Sequence, residues 1–446
     1  MTTPTGKAPR TGRLARSVLV GTTAARVGAK AVRHKLRASP SKEVEDEHEA
    51  DIGRMIFAAV TQLRGTALKA AQMLSMDAGV LPEGIRAQLA RASHQAMPLN
   101  RALVSRAFRQ AFGREPQALY ARFDTEAFAA ASLGQVHRAR LDDGTEVAVK
   151  VQYPGIAETI DSDLRLLRTS LRTIGRERLG LPQDGLIDKV LDEVRRQLME
   201  EVDYLHEAEQ QAWFIEHARH PDIVMPQVVS ALTCKTVLTQ QSLQGLHLDA
   251  SLQQSPSQAT RDRQAQAIFD WFVDCAFERR HIHADMHLGN LLFLNDERVG
   301  VLDFGCTRKL SGSFVKGLAR SWLTWLRQGA SGSSALLANY RELGVADLGM
   351  GLKDFEQRIL PKIAPVLEWA TQAFATERFE FSDKTPFPAA QFDRRAVHSA
   401  SFIAHLPPEL LSFDRAWFGL MHLLTRLQGR VDTRASMAKL VAAAEN

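Results

Sequence analysis

The sequence predicts an α+β protein in which a small lobe with β-strands precedes a larger, mainly helical lobe. An Asp-Gly turn between two alternating runs, within residues 134–151, is typical of a β-hairpin. Residues 52–76 and 157–218 are predicted to be helical, the first from its apolar spacing. From Arg261 onwards the chain is predicted to be mostly helical, except for short strands at 291–293 and 299–302.

Composition excludes several classes of protein. Of the 446 residues, 45% are apolar and 24% are charged, as in an ordinary globular protein, which excludes a fully disordered chain, collagen and a disulfide scaffold. No uninterrupted apolar run reaches the ~18 residues that a membrane span requires. The three cysteines, Cys234, Cys275 and Cys306, form no CxxC motif, so we expect reduced thiols and no zinc knuckle.

Positive charge is concentrated at the N-terminus. Residues 1–42 contain ten Lys or Arg and no acid, so that the net charge of +5 leaves −5 for residues 43–446. This disfavours a nucleic-acid partner for the body of the protein. Residues 13–37 fit a disordered arm, a basic amphipathic helix on an anionic membrane, or a transit peptide. We expect a cytoplasmic protein, with peripheral inner-membrane contact and mitochondrial targeting left open.

The strongest chemical motif is His283-Ala-Asp-Met-His-Leu-Gly-Asn290, followed thirteen residues later by Asp303-Phe-Gly. An Asp, an Asn five residues on, and a second Asp after two short strands form the layout of a kinase catalytic centre. In phosphoryl transfer, one carboxylate (Asp285) orients or deprotonates the acceptor, while an amide oxygen (Asn290) and a second carboxylate (Asp303) hold Mg²⁺.

Two upstream segments complete this pattern. Lys150 ends the strand Val-Ala-Val-Lys, from which a lysine can reach the α- and β-phosphates of a nucleotide. Glu200, Asp203 and Glu207 are spaced to share one face of a helix and are candidates for its acidic partner. Where a protein kinase has a glycine-rich phosphate loop, this chain has Ala129-Ala-Ala-Ser132, which restricts close backbone approach to phosphate.

Two other functions stay open at this point. The chain can be a nucleotide-binding scaffold without catalysis that presents lipid or partner proteins. His281, His283, Asp285 and His287 also resemble a zinc cluster, which would indicate a metal-dependent hydrolase. Peptide phosphorylation is disfavoured, because Ala284 replaces the Arg of the usual HRD motif and no APE motif follows.

Over about residues 52–430, the sequence resembles the UbiB (AarF, ADCK) family of atypical kinases. The family's alanine-rich loop matches residues 129–137, its HADPHPGN loop matches residues 283–290, and its KxGQ signature matches Lys69-Ala-Ala-Gln72. Its ExD element matches Glu201 and Asp203.

The resemblance implies a two-lobed protein-kinase-like fold with a helical KxGQ-type extension over the cleft. It implies four regions: a basic arm (1–42), the extension (43–115), an N-lobe (116–240) and a mainly helical C-lobe (241–446). It implies an enzyme that uses ATP (or ADP) and Mg²⁺ as a phosphotransferase or ATPase. The implied role is in ubiquinone or other lipid metabolism at a membrane, with a lipid or quinone precursor and ubiquinone-biosynthesis proteins as partners. A homodimer stays open.

The resemblance also implies the roles of individual residues. Asp285 would be the catalytic Asp, Lys150 and Glu207 an ion pair, and Asn290 and Asp303 the Mg²⁺ ligands. The nucleotide would contact Ala129, Ala130, Ala131 and Ser132, together with Lys150 and the hinge residues Gln241, Ser242 and Leu243. Lys69 and Gln72 would reach into the cleft, where Lys69 would meet Glu201 or Asp203.

This chain departs from the family pattern at several positions without losing a catalytic group. Ala71 replaces the glycine of KxGQ, and a helix tolerates Ala better than Gly by roughly 1 kcal/mol. Met286 and Leu288 replace two prolines, which removes a backbone restraint from the catalytic loop. Gln241 stands in the hinge where an acid is frequent.

Overall fold

A computed structural model describes residues 101–131, 133–165, 167–168, 184–382 and 407–445. The predicted basic arm and most of the predicted extension, including Lys69, Ala71 and Gln72, lie outside these residues. The predictions made for them therefore stay predictions. Within the described residues, no helix combines the length and the apolar character needed to cross a membrane.

The described residues form helices and short strands throughout. The strands are β1 (Arg122–Phe123), β2 (Ala129–Ala131), β3 (Gly134–Arg140), β4 (Glu146–Gln152), β5 (Ile223–Val224), β6 (Val237–Gln241), β7 (Gly245–Leu246), β8 (His281–His283), β9 (Leu291–Leu294), β10 (Val299–Val301), β11 (Thr307–Lys309), β12 (Arg378–Glu380) and β13 (Arg430–Asp432). The main helices are α1 (Arg101–Phe112), α2 (Asp184–Glu201), α3 (Tyr204–His217), α4 (Leu248–Gln253), α5 (Gln258–Val273), α6 (Gly312–Gln328), α7 (Ser333–Glu342), α8 (Leu360–Thr371), α9 (Pro408–Leu427) and α10 (Arg434–Glu445).

The predicted hairpin is confirmed and forms the centre of a sheet ordered β1-β3-β4-β6, with β2 paired to β3. Gly144 adopts a φ of 88°, which glycine reaches without steric cost, and its N–H donates to the Leu141 carbonyl at 3.0 Å. Val147, Val149 and Val151 alternate along β4 and are buried. This local alternation and turn chemistry explain why the hairpin was predictable.

Two sequence-based predictions about secondary structure are wrong. Residues beyond Arg261 also contain β8, β11, β12 and β13, which pair as β8–β11 and β12–β13. Strands of three residues are too short to show a period of two, and their partners are distant in sequence.

The acidic run also does not share one helix face. Helix α2 ends at Glu201 and α3 begins at Tyr204, so Glu200 and Glu207 lie on different helices. Asp203 lies between them, and its N–H donates to the Glu200 carbonyl in a tighter, non-helical turn at 3.0 Å. The turn breaks the i, i+3, i+7 relation on which the prediction depended.

The chain divides into two compact units. The first contains the described parts of residues 1–144, 149–203 and 235–237, and the second contains residues 145–148, 204–234 and the described part of 238–446. The second unit has an aromatic core in which Trp322 and Trp417 lie 5.0 Å apart between ring centroids, and Phe374 stacks on Trp417 at 6.1 Å. The predicted α+β fold class is confirmed, while the predicted domain boundaries stay predictions.

Candidate functional site

Asp285 and Asn290 are brought together by the loop between β8 and β9. The Nδ2 of Asn290 donates to the Asp285 carbonyl at 3.0 Å and to its Oδ2 at 3.1 Å. The loop is closed by backbone bonds from His287 N–H to the Asp285 carbonyl and from Asn290 N–H to the His287 carbonyl, at 2.7 and 2.9 Å. An acceptor carboxylate and an amide, five residues apart, therefore act as one rigid pair.

Asp303 follows β10 and lies in the left-handed region, with a φ of 59°. A non-glycine residue pays a steric cost there, and such residues are enriched at functional sites. The conformation is held by the Gly305 N–H, which donates to the Asp303 Oδ1 at 3.2 Å. The preceding Leu302 N–H donates to the Asn290 carbonyl at 2.8 Å, so the two loops share a backbone bond.

His283 links the segments that carry the two aspartates. Its Nε2 lies 2.8 Å from the Asp303 carbonyl, and its Nδ1 lies 3.4 Å from the Asp285 N–H. A carbonyl can only accept, so Nε2 must carry the proton and Nδ1 is the acceptor. Sequence reasoning treated His283 as part of a motif without giving it this linking role; the HxD spacing was the available signal.

Phe304, the residue after Asp303 in the Asp-Phe-Gly segment, is fully buried. Its ring centroid lies 5.4 Å from that of His283 and 5.2 Å from that of Phe214 on α3. Aromatic contacts at these distances contribute beyond simple area burial. Packing of Phe304 and hydrogen bonds from Gly305 and His283 thus converge on Asp303 and the residues that follow it.

The groups at this site fit a hard divalent cation. With Nδ2 donating to Asp285, Asn290 retains its amide oxygen as an acceptor, and Asp303 supplies a carboxylate. Mg²⁺ prefers oxygen ligands of this kind and usually keeps several waters. Among the described residues, no group of three or more His, Cys, Asp or Glu side chains is arranged to hold a metal.

The histidines of the proposed zinc cluster have other partners. The His281 ring centroid lies 4.2 Å from that of Trp213, and burial lowers the pKa of His281 to about 4. His287 accepts from the Gly289 N–H at 3.1 Å, and His283 contacts the backbone on both sides of its ring. These contacts give no support to the hydrolase interpretation.

Lys150 and Glu207 are both buried charged residues, with 6% and 2% of their surfaces exposed. Lys150 lies on β4 in the first unit, and Glu207 lies on α3 in the second. Burial of a charge is costly unless it is paired and hydrogen-bonded. Because the two residues lie in different units, their pairing stays a prediction.

The ExD residues lie at the junction of α2 and α3. Glu201 is the last residue of α2, and the Asp203 Oδ2 lies 3.5 Å from the Lys235 Nζ. Lys69, the predicted partner of this element, lies outside the described residues. Lys235 is a second cation available to Asp203 that sequence reasoning did not identify.

The predicted nucleotide-contacting segments have defined backbone positions. Ala129, Ala130 and Ala131 form β2, in register with Val136, Gln135 and Gly134 of β3, while Ser132 lies outside the described residues. Alanine favours helix in isolation, so pairing with β3 overrides local propensity here.

The predicted hinge, Gln241–Leu243, follows directly from β6. The Gln241 N–H donates to the Gln227 carbonyl at 2.8 Å, and the Ser242 N–H donates to the Glu146 carbonyl at 2.9 Å. Leu243 lies so close to Gly300 that a Cβ on Gly300 would stand 2.9 Å from its Cδ1. The hinge is therefore anchored by backbone bonds at both polar positions.

A mixed α+β fold with an Asp–Asn loop and a following Asp-Phe-Gly segment defines a protein of the kinase-like class. The ABC1 atypical kinase-like domain matches residues 91–334, more than half of the chain. The protein belongs to this family, which includes the UbiB and COQ8/ADCK atypical kinases. The family predicted from sequence motifs is confirmed.

Several relatives carry names of the same family. The atypical kinase coq-8, mitochondrial, of Caenorhabditis elegans is 35% identical over 60% of this chain and 35% of the relative. The atypical kinase COQ8, mitochondrial, of Saccharomyces cerevisiae is 29% identical over 68% of this chain and 61% of the relative. The matched part spans between about a third and three fifths of these relatives.

A solved structure shares the fold over nearly the whole chain. It is described as the complex of Rv3197 with erythromycin from Mycobacterium tuberculosis. The TM-score is 0.61 at 25% identity, and the match covers 91% of this chain and 99% of that one.

Proposed function

We propose that this protein is an ATP- and Mg²⁺-dependent phosphotransferase or ATPase. The observation that carries the proposal is the network in which Asn290 bonds to Asp285 and His283 links Asp285 to Asp303. The network fixes the Asp285 carboxylate against the Asn290 amide and ties the backbone of Asp285 to the backbone of Asp303. Such preorganisation is the main contribution that a protein makes to phosphoryl transfer.

The proposed role of each group follows from its chemistry. Asp285 accepts the proton of the attacking hydroxyl or water, and Asn290 keeps that carboxylate oriented. Asn290 and Asp303 would hold Mg²⁺, which neutralises phosphate charge when it is bound. Lys150 contacts the phosphates, and Glu207 is its partner. These last two roles depend on the family pattern and on the burial of both charges.

The remaining site assignments are proposed from the family pattern. The backbone of Ala129–Ala131, together with Ser132, contacts the nucleotide, and Gln241–Leu243 line the adenine. The extension that carries Lys69 and Gln72 covers the place where a protein kinase takes its peptide, with Glu201 and Asp203 as acidic partners. A peptide acceptor is therefore disfavoured, as it is by Ala284 in place of the HRD arginine.

The acceptor is proposed to be water or a lipid or quinone-precursor hydroxyl at a membrane surface, in support of ubiquinone or related lipid metabolism. The basic residues 1–42 support membrane contact, because each cation near anionic lipid contributes roughly 1 kcal/mol. Deletion of residues 1–42 should weaken sedimentation with anionic vesicles while the melting temperature is retained. Unchanged vesicle binding would reject the membrane role of this segment.

The central test is phosphate release from Mg²⁺-ATP, with and without anionic liposomes and a quinone-precursor mimic. Asp285→Asn should lower the rate by about 100-fold or more, because it removes the base but keeps the side-chain shape. Asp296→Asn is the matched control, since Asp296 lies in the β9–β10 turn, paired with Arg298 at 2.7 Å. Both variants should still bind Mg²⁺-ATP when binding is measured by calorimetry.

The same experiment separates the enzyme from a scaffold. Tight Mg²⁺-ATP binding with equal, background phosphate release by wild type and Asp285→Asn would favour a nucleotide-binding scaffold. Zinc at one equivalent in the purified protein would reopen the hydrolase interpretation.

A further inference from the structure

The C-terminal helix α9 contacts the catalytic loop directly. Arg415, in the middle of α9, donates from its Nε to the Ala284 carbonyl at 3.0 Å. Its Nη2 donates to the Cys306 Sγ at 2.9 Å. Ala284 immediately precedes Asp285, and Cys306 immediately follows Asp303-Phe-Gly, so one guanidinium contacts the backbone carbonyl before Asp285 and the thiol three residues after Asp303.

A glycine one turn further along α9 allows this close approach. A Cβ added to Gly419 would stand 2.5 Å from the Met286 carbonyl oxygen, closer than real Cβ contacts. Arg415 and Gly419 are four residues apart and share one face of the helix. The catalytic loop therefore lies against the face of α9 that carries the Arg415 guanidinium and Gly419.

A third contact ties the start of α9 to the segment after Asp303. The Glu409 Oε1 accepts from the Ser311 N–H at 2.8 Å, at the N-cap of α6. Cys306 and Ala284 are also joined by a backbone bond, from the Ala284 N–H to the Cys306 carbonyl at 2.9 Å. Helix α9 thus bonds both to the Asp285 loop and to the segment that leaves Asp303.

We propose that Arg415 and Gly419 position the catalytic loop, and that Arg415 supplies from a helix 131 residues later a cation that the loop itself lacks at Ala284. The planar guanidinium spans two acceptors on different segments, which a single ammonium does less well. Fixing Ala284 and Cys306 together keeps the spacing of the two aspartates constant through turnover. The inference rests on the proposed phosphotransferase or ATPase function.

The test compares Arg415→Ala, Arg415→Lys and the control Arg426→Ala. Arg426 lies on the same helix, but its guanidinium is part-exposed and pairs with the exposed Asp249. Arg415→Ala should lower kcat by about 10-fold to 100-fold, because small displacements of reacting groups have effects of this size. KM for ATP should change less than about threefold, and Arg415→Lys should recover part of the rate.

Gly419→Ala provides an independent variant that keeps the guanidinium. It should lower kcat by pushing on Met286, whereas Gly351→Ala, whose nearest atom would be Asp354 Oδ2 at 4.0 Å, should leave kcat unchanged. If Arg415→Ala fails to fold, Arg415→Lys and Gly419→Ala decide the question. Wild-type kcat in both of these variants would overturn the proposal.

Hydrogen exchange gives a readout that does not depend on turnover. Arg415→Ala should speed amide exchange in residues 284–290, while exchange in α5 and α6 stays at the wild-type rate. Exchange in the loop that is unchanged, or that rises equally across the whole second unit, would contradict a positioning role. If the wild type shows no turnover, the proposed function fails, and the exchange result still decides whether α9 positions the loop.

Discussion

The β3–β4 hairpin and the β8–β11 segment both present proposed site residues, but they are stabilised in different ways. In the hairpin, neighbouring strands pair in sequence order and Lys150 is placed by strand alternation beside buried valines. The β8–β11 segment covers residues 281–309. It is held by bonds between side chains and backbone that join residues far apart in the chain: His283 bonds to Asp303, and Arg415 of α9 bonds to Ala284. The position of Lys150 therefore depends on regular secondary structure, whereas the positions of the two aspartates depend on individual side-chain contacts.

The largest effect is expected from Asp303→Asn in the β8–β11 segment. Asn tolerates a φ near 59°, so the fold should persist while the negative charge is lost. We expect phosphate release to fall by about 100-fold to 1000-fold. Mg²⁺-dependent stabilisation by ATP in thermal melts should disappear. Retained Mg²⁺ dependence would show that another group holds the metal.

Lys150→Ala in the first region should have the next largest effect. Loss of a charge-assisted contact worth about 1.5–3 kcal/mol should weaken ATP binding by about 10-fold to 100-fold in calorimetry. Lys353→Ala is the matched control, because Lys353 is exposed and carries no proposed site role. Equal affinity of both variants and the wild type would remove Lys150 from the nucleotide site.

Gly144→Ala tests how much the stability of the hairpin depends on its turn. The φ of 88° is strained for alanine, and no atom lies within 4 Å of the added Cβ, so the cost is conformational, about 1–2 kcal/mol. The midpoint of chemical denaturation should move to a lower denaturant concentration, while kcat stays at the wild-type value. A large loss of kcat would show that the turn also shapes the site.

The smallest effect is a pH dependence in the second region. His281 is buried against Trp213, and burial lowers the pKa of its imidazole from 6.5 to about 4. Because the unfolded chain binds this proton more readily, the stability contribution is complete above pH 6.5 and is lost as pH falls towards 4. His281→Phe should therefore show a shallower fall of melting temperature between pH 7 and 5 than the wild type. The control His217→Ala, at an exposed position, should follow the wild type.

Local signals account for the parts of the fold that were predicted correctly. The hairpin, β9 and β10 follow from turn chemistry and short apolar runs, and the family follows from the spacing of Asp285, Asn290 and Asp303. The three-residue strands β8 and β11 were missed because each is stabilised by the other rather than by its own pattern. The break between Glu201 and Tyr204 was missed because acidic residues occur both at the end of one helix and at the start of the next, so their pattern does not mark the boundary.

The sequence by itself determined which chemical groups this protein carries and the order in which they occur, because residue types and the spacing of motifs are read directly from the chain. Only the tertiary structure decided how they are held: the left-handed backbone at Asp303, the imidazole of His283 between two loops, and the guanidinium of Arg415 against Ala284. The physical reason is that each of these contacts joins segments with no local pattern in common. Their geometry appears only when the packing of the second unit brings α9 and the β8–β11 segment together.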